Sequence, residues 1–355
     1  MQVPKEKQYG LLCDAKGTVS ELICWNHPEQ TGELMTGLTE LGCQIDIVLE
    51  STGTYGDALR HQFRHCGFEI YQMNAKRVSD AHEIYDGVPS LHDAKSATII
   101  TRLHREGLSQ RWIELSDDER MLNAMRREYD MHQSHYQRNQ NRLEAFLSRH
   151  WPEVGRLLDL DSVTLEHLLI DYGSPDRIAA DAETAAKKMR RWGRHLLSDT
   201  KIESVINSAC TTLGQPCIES ELRYLQALAT EMRHSRLQQK QAKHALEVSI
   251  KSNDDLRELG TLLGMVTTAV LLSCHLDPRN YACARSDQKA LGLNLKEKSS
   301  GRHTGQLKIT KRGSSVARSY LYFATLRLIK SNPIVKAWYL STVDPRAVDF
   351  KIVVA

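Results

Sequence analysis

The chain has 355 residues, 41% hydrophobic and 26% charged, with 47 Lys and Arg against 44 Asp and Glu. That balance excludes a disordered chain, and no stretch approaches the roughly 20 consecutive apolar residues a membrane helix needs. The opening "MQVPKEKQYG" carries no apolar signal core, which reads as a cytoplasmic protein with no membrane partner. None of the eight cysteines forms a CxxC pair or a zinc-site spacing, so they read as reduced thiols.

The first hundred residues alternate between strand and helix patterns. "QYGLLCDA" and "TVSELICW", joined by the turn "AKG", predict a hairpin. "PEQTGELMTGLTELG" predicts an amphipathic helix ending at Gly42, and "QIDIVLE" a buried strand that delivers Glu50 at its C-terminal end. "STGTYGDALRHQFRHCG" predicts a capped helix, "FEIYQMN" a further strand and "DAKSATIITRLHREG" a closing helix. Strands alternating with helices predict one α/β sheet domain over residues 1–114.

From Ser116 the texture changes. "DDERMLNAMRREYDMHQSHYQRNQNRLEAFLSRHW" predicts a long polar helix, and residues 219–250 have the same character. Together they predict an antiparallel helical arm spanning 115–253, with a helical insert over 153–218. The insert holds "KKMRRWGRH", which is either a nucleic-acid contact or a solvated helix face. A third, mainly helical domain is expected over 254–355. There "LGTLLGMVTTAVLLSCHLD" sets a glycine between two apolar runs, as in a helical hairpin whose turn lets backbone amides approach a phosphate.

Net charge is only +3, but it is unevenly spread. Nine Lys and Arg lie between Arg285 and Arg318, against the two acids Asp287 and Glu297. That excess is what a phosphate backbone requires. Inside it, "SSGRHTGQLKITKRGSS" is by itself a solvated basic loop with ordinary serines. Glu50 at a strand end and Asp93 on a following helix are the kind of acids that converge on divalent metal in ribonuclease H-type nucleases; each is equally readable as a solvated edge or a helix cap.

The ordered set "VLESTGTYG", "LHDAKSA", "LLGMVTTA", "KALGLNLKEKSSG" and "GQLKITKRGSSVARSYL" resembles the IS110 family of insertion-sequence transposases, which includes the Piv-type invertases. The resemblance runs from about residue 2 to the end. It implies a multidomain α/β plus α fold: a RuvC-like (ribonuclease H) domain with a DEDD acidic motif, a coiled-coil arm and a C-terminal transposase domain with a serine nucleophile. It also implies an enzyme that cuts and rejoins target and donor DNA through a serine–DNA linkage. A non-coding bridge RNA guides it, and it works as a dimer or tetramer whose acids and serine meet across subunits, nucleoid-associated when bound to DNA. Carried over, Ser300 matches the nucleophile, with Ser299 as the fallback. Glu50 and Asp93 match acids around Mg2+, with Asp86 taken as the third ligand, and the cations of the basic stretch, Lys298, Arg302, Lys308, Lys311, Arg312 and Arg318, are read as the nucleic-acid contacts.

Two departures separate this sequence from the family pattern. Gln2 stands where the first aspartate is expected, so the chain reads as starting partway through its first strand. Asp14, the tempting substitute, sits in the hairpin turn. The paired aspartates are expected three residues apart, yet Ser90 occupies the earlier position; Asp86 or His92 could supply the missing ligand. A neutral amide at position 2 weakens a hard-cation site. The alternative reading is therefore a catalytically impaired derivative that still binds RNA and DNA.

Overall fold

The computed structural model describes residues 7–14, 16–26, 28–51, 53–84, 87, 92–194, 196–275, 281–297 and 307–342. Two compact units divide the chain, Met1–Glu114 and Leu115–Ala355.

In the first unit, β1 (Lys7–Cys13) and β2 (Val19–Asn26) form the expected antiparallel hairpin. Asp14 closes its turn by accepting from the Thr18 amide at 2.8 Å. After α1 (Thr31–Glu40), β3 (Asp46–Glu50) buries Ile47 and Leu49 on alternate positions and leaves Glu50 half-buried at its end. A 3-10 turn (Gly53–Gly56) leads into α2 (Asp57–His65), followed by β4 (Glu69–Met73), which runs parallel to β3. Two elements were not anticipated. The short helix α3 (Ala75–Ala81) is capped by Asn74, and after α4 (Asp93–Arg105) the strand β5 (Gln110–Arg111) pairs antiparallel with β4.

Among the described residues the strands form a two-stranded sheet, β1-β2, and a three-stranded sheet, β3-β4-β5. Both share one apolar core, in which Met35, Leu38, Ile47, Leu49, Leu59, Phe63 and Ile70 are buried and Leu12 of β1 packs against them. Met73, Val78, Ile99 and Ile100 fasten α3 and α4 to the other side of the sheet. At roughly 1.5–3 kcal/mol for each fully buried large side chain, this packing fixes β3, and with it Glu50.

The second unit is built on α5 (Asp117–His150) and α11 (Glu219–Lys251). A reciprocal cap starts α5: Ser116 Oγ accepts from the Glu119 amide, and the Glu119 carboxylate accepts from the Ser116 amide. The two helices run antiparallel for about 50 Å at 1.5 Å per residue. Their register is fixed by Gln239 donating to Gln133 at 2.8 Å and by Leu122 clustering with Ile250 at one end. Between them lie α6 (Val154–Leu157), α7 (Val163–Asp171), α8 (Pro175–Ala180), α9 (Ala182–Gly193) and α10 (Asp199–Cys210). These five helices close over a core around Trp151, whose indole donates to Ser208 Oγ at 3.0 Å.

At the other end of the arm stand α12 (Asp254–Leu263), α13 (Met265–His275), α14 (Ala284–Leu291), the short pair β6 (Leu295–Lys296) and β7 (Lys308–Ile309), α15 (Ser315–Ser331) and α16 (Pro333–Thr342). Ala269 of α13 joins Leu122, Tyr129, Ala242, Leu246 and Ile250 of the arm in one cluster. These C-terminal helices therefore belong to the same compact unit as the arm. Among the described residues no single helix is long and apolar enough to cross a membrane.

Candidate functional site

Glu50 and Asp93 reach one cleft by different routes. The alternation of β3 carries Glu50 past the buried Leu49 to the strand's C-terminal end. Asp93 is the first residue of α4, whose N-cap His92 accepts from the Lys95 amide through Nδ1 at 3.1 Å. With Ser79, His82, His92 and Ser96 the two acids line a cleft of about 250 Å³. Burial pushes the Glu50 carboxyl above its ordinary range, and the Asp93 carboxylate adds in the same direction. Asp93 also lies close enough to β1 to help raise the Tyr9 hydroxyl, which Cys24 raises most.

Glu50 Oε2 is buried and has no hydrogen-bond partner among the described residues, and the same holds for Nδ1 of His82, a residue only 5% exposed. Leaving such atoms unpaired costs about 1–3 kcal/mol each. A desolvated carboxylate oxygen beside a second carboxylate is a donor set that suits a hard divalent cation, and Glu50 and Asp93 fit it. Among the described residues, no three His, Cys, Asp or Glu side chains converge closely enough to enclose an ion. Gln2, Asp86 and Ser90 lie outside the described residues. No motif singles out His82; only its burial marks it.

The serines predicted to attack, Ser299 and Ser300, and the contacts Lys298 and Arg302 also lie outside the described residues. Their flanks are well anchored. β6 pairs antiparallel with β7, Leu295 opposite Ile309 and Lys296 opposite Lys308. Beyond the pair, Thr310 donates through its amide to the Asn294 carbonyl at 2.8 Å, and through Oγ1 to Asn294 Oδ1 at 2.6 Å. Gly313 passes so near the end of α14 that a Cβ there would collide with the Ala290 and Leu291 carbonyls, at a φ of 154°. Lys308, Lys311 and Arg312 are exposed around this base. Arg318 behaves differently: its Nη1 donates to the Leu291 carbonyl at 2.9 Å and to the Gly313 carbonyl at 3.0 Å, so it braces the turn rather than standing free as the expected phosphate contact.

The glycine turn between α12 and α13 is Gly264, at φ 90°. Arg327 of α15 lies over it, donating to the Leu263 carbonyl and to Thr267 Oγ1 at 3.2 Å. Tyr129, Tyr320 and Phe323 join Arg327 around an adjoining cleft of about 550 Å³. The insert's cations are mostly neutralised: Lys187 pairs with Glu183, Lys188 with Asp171 and Arg190 with Asp199. Of the two readings of "KKMRRWGRH", the solvated, ion-paired face is the one this arrangement favours.

Two family models account for these features. A DEDD-type IS110 transposase model matches residues 6–152, which include Glu50 and Asp93. A model described as Transposase IS116/IS110/IS902 family matches residues 262–340, which run from the α12–α13 turn through the basic hairpin to α16. The chain belongs to the IS110/IS116/IS902 family of transposases. No curated protein matches the chain.

Membership gives the two halves their meaning. The mixed α/β part is the DEDD, ribonuclease H-like region of an IS110-family transposase, and the helical remainder carries its C-terminal transposase region. A DEDD nuclease-type domain generally uses divalent metal. A transposase binds DNA, and the exposed Lys308, Lys311 and Arg312 lie within the region the C-terminal model matches.

Proposed function

We propose that this transposase cuts and rejoins DNA through a serine–DNA phosphodiester formed at Ser300, with Glu50, Asp93 and Asp86 holding Mg2+. The observation that carries the reading is the buried, unpartnered Glu50 Oε2 in the cleft it shares with Asp93. In the attack, Ser300 Oγ bonds to phosphorus as the bond to the leaving sugar oxygen breaks. Water accepts the hydroxyl proton and supplies one to the departing sugar oxygen. The linkage keeps the bond energy, so rejoining is the reverse attack by a new sugar hydroxyl. When bound, the metal neutralises charge developing on the phosphoryl oxygens. Lys308, Lys311 and Arg312 hold the backbone.

The same reading assigns a non-coding bridge RNA as guide, and a dimer or tetramer in which the acids of one copy serve the serine of another. Covalent trapping tests it. Wild-type protein incubated with the ends of its element and Mg2+ should give a denaturation-resistant protein–DNA adduct, and Ser300→Ala should give none. Recombination that survives Ser300→Ala would overturn the nucleophile.

A second reading is a catalytically impaired derivative that retains RNA and DNA binding. What favours it is Gln2 and Ser90 in place of acids. Gln2→Asp separates the two: a gain of Mg2+-dependent cleavage marks a weakened enzyme, and unchanged inactivity with tight RNA binding marks the derivative.

A further inference from the structure

One side of α11 carries a run of cations. Arg233, Arg236, Lys240 and Lys243 recur at spacings of three and four, which brings them into one stripe, and no acid interrupts α11 between Glu231 and Glu247. Toward the insert, Arg233 and Arg236 are taken up by the buried Glu166, at 3.7 and 3.5 Å. Further along, Lys240 is exposed, and Lys243 is half-exposed with only a loose contact to Glu247 at 3.9 Å. Lys243 stands on the rim of the cleft of about 550 Å³ where the arm meets α13 and α15.

The wall of that cleft is aromatic. Phe323 of α15 is 62% exposed, and Tyr322 packs against it edge to face with ring centroids 5.4 Å apart, which holds the ring in place. An exposed, fixed aromatic ring beside unclaimed lysines is the combination that binds single-stranded nucleic acid, in which a base stacks on the ring while cations follow the phosphates. Within a duplex every base is covered by its neighbours, so only an unpaired nucleotide offers its face. Most polar groups around the cleft are already committed. Tyr129 and Tyr320 bond to each other, Gln239 donates to Gln133 at 2.8 Å, and Arg327 donates to Thr267 Oγ1 at 3.2 Å. Few remain to meet a 2′-hydroxyl, which favours deoxyribose over ribose.

We propose that this cleft binds one unpaired nucleotide of the DNA, its base stacked on Phe323 and its phosphates held by Lys240 and Lys243. The inference rests on DNA binding and not on chemistry at Ser300, so binding without Mg2+ tests it separately.

The probe is a DNA duplex with a three-nucleotide overhang whose middle base is 2-aminopurine, a base whose fluorescence falls on stacking. The full-length wild type should quench it and bind it about tenfold more tightly than the blunt duplex, as one stacked base provides. Phe323→Ala should lose both the quenching and the preference, and Phe323→Trp should keep them. Converting Lys240 and Lys243 together to alanine should lower the slope of log affinity against log salt by about 1.4, at 0.7 per single-strand phosphate. Quenching that survives Phe323→Ala would overturn the site. So would a wild type that binds blunt and overhanging duplexes alike, the result expected if the chain fills its own cleft. A ribonucleotide overhang held as tightly as the deoxyribonucleotide one would overturn the choice of DNA.

Discussion

Replacing Glu50 by glutamine should stabilise the first unit while disabling its cleft. The carboxylate is desolvated at the end of β3, carries one oxygen with no partner and feels the negative charge of Asp93. A desolvated charge costs more than a neutral amide at the same position, and because Glu50 is only half-buried the difference is ~1 kcal/mol, the low end of the usual range. Glutamine keeps the shape and the packing of the strand but removes the charge. For a unit of this size, Met1–Glu114, ~1 kcal/mol corresponds to a rise in Tm of about 4 °C. Differential scanning calorimetry in chelator should therefore show the first transition move upward in Glu50→Gln. Added Mg2+ should stabilise the wild type and leave the variant unmoved. A variant that melts lower than the wild type in chelator would refute the argument, because the carboxylate would then be a structural group satisfied within the fold.

The basic hairpin and the arm give further expectations. Converting Lys308, Lys311 and Arg312 together to alanine should lower the slope of log affinity against log salt by about 2.7, at 0.9 per lost phosphate contact, in a DNA anisotropy titration. Arg318→Ala should instead change that slope little and lower the stability of the C-terminal helices, since its guanidinium is engaged by the Leu291 and Gly313 carbonyls. Gly313→Ala should abolish adduct formation while leaving the helical content of the arm unchanged by circular dichroism, because only the approach of the hairpin base to α14 is blocked. Leu246→Ala, at a fully buried position where α11 meets α5 and α13, should cost about 2–5 kcal/mol in urea unfolding.

What the sequence made legible follows from which interactions are local. The hairpin, the strand ending at Glu50, the helix beginning at Asp93 and both arm helices are written in periodicity and capping residues, which act over a few positions. The α3 helix was missed because its seven residues are too few to show a period; Asn74, accepting from the Lys76 amide at 2.9 Å, was its one local signal. Strand partners are another matter. Nothing in "QYGLLC" or "DIVLE" states which strand each one pairs with, because pairing joins separate segments, Asp46 of β3 lying opposite Glu69 of β4. The same limit governs the side chains. Glu50 and Asp93 could be suspected as a pair of acids, but the unpartnered nitrogen of His82 beside them is a fact about burial that no motif encodes. Arg318 and Arg327 make the point from the opposite direction. Both look alike as cations on α15, yet one braces a loop and the other covers a glycine turn. Charge in a sequence therefore bounds what a region can bind, and the carbonyls that claim each guanidinium decide which cations are left to bind it.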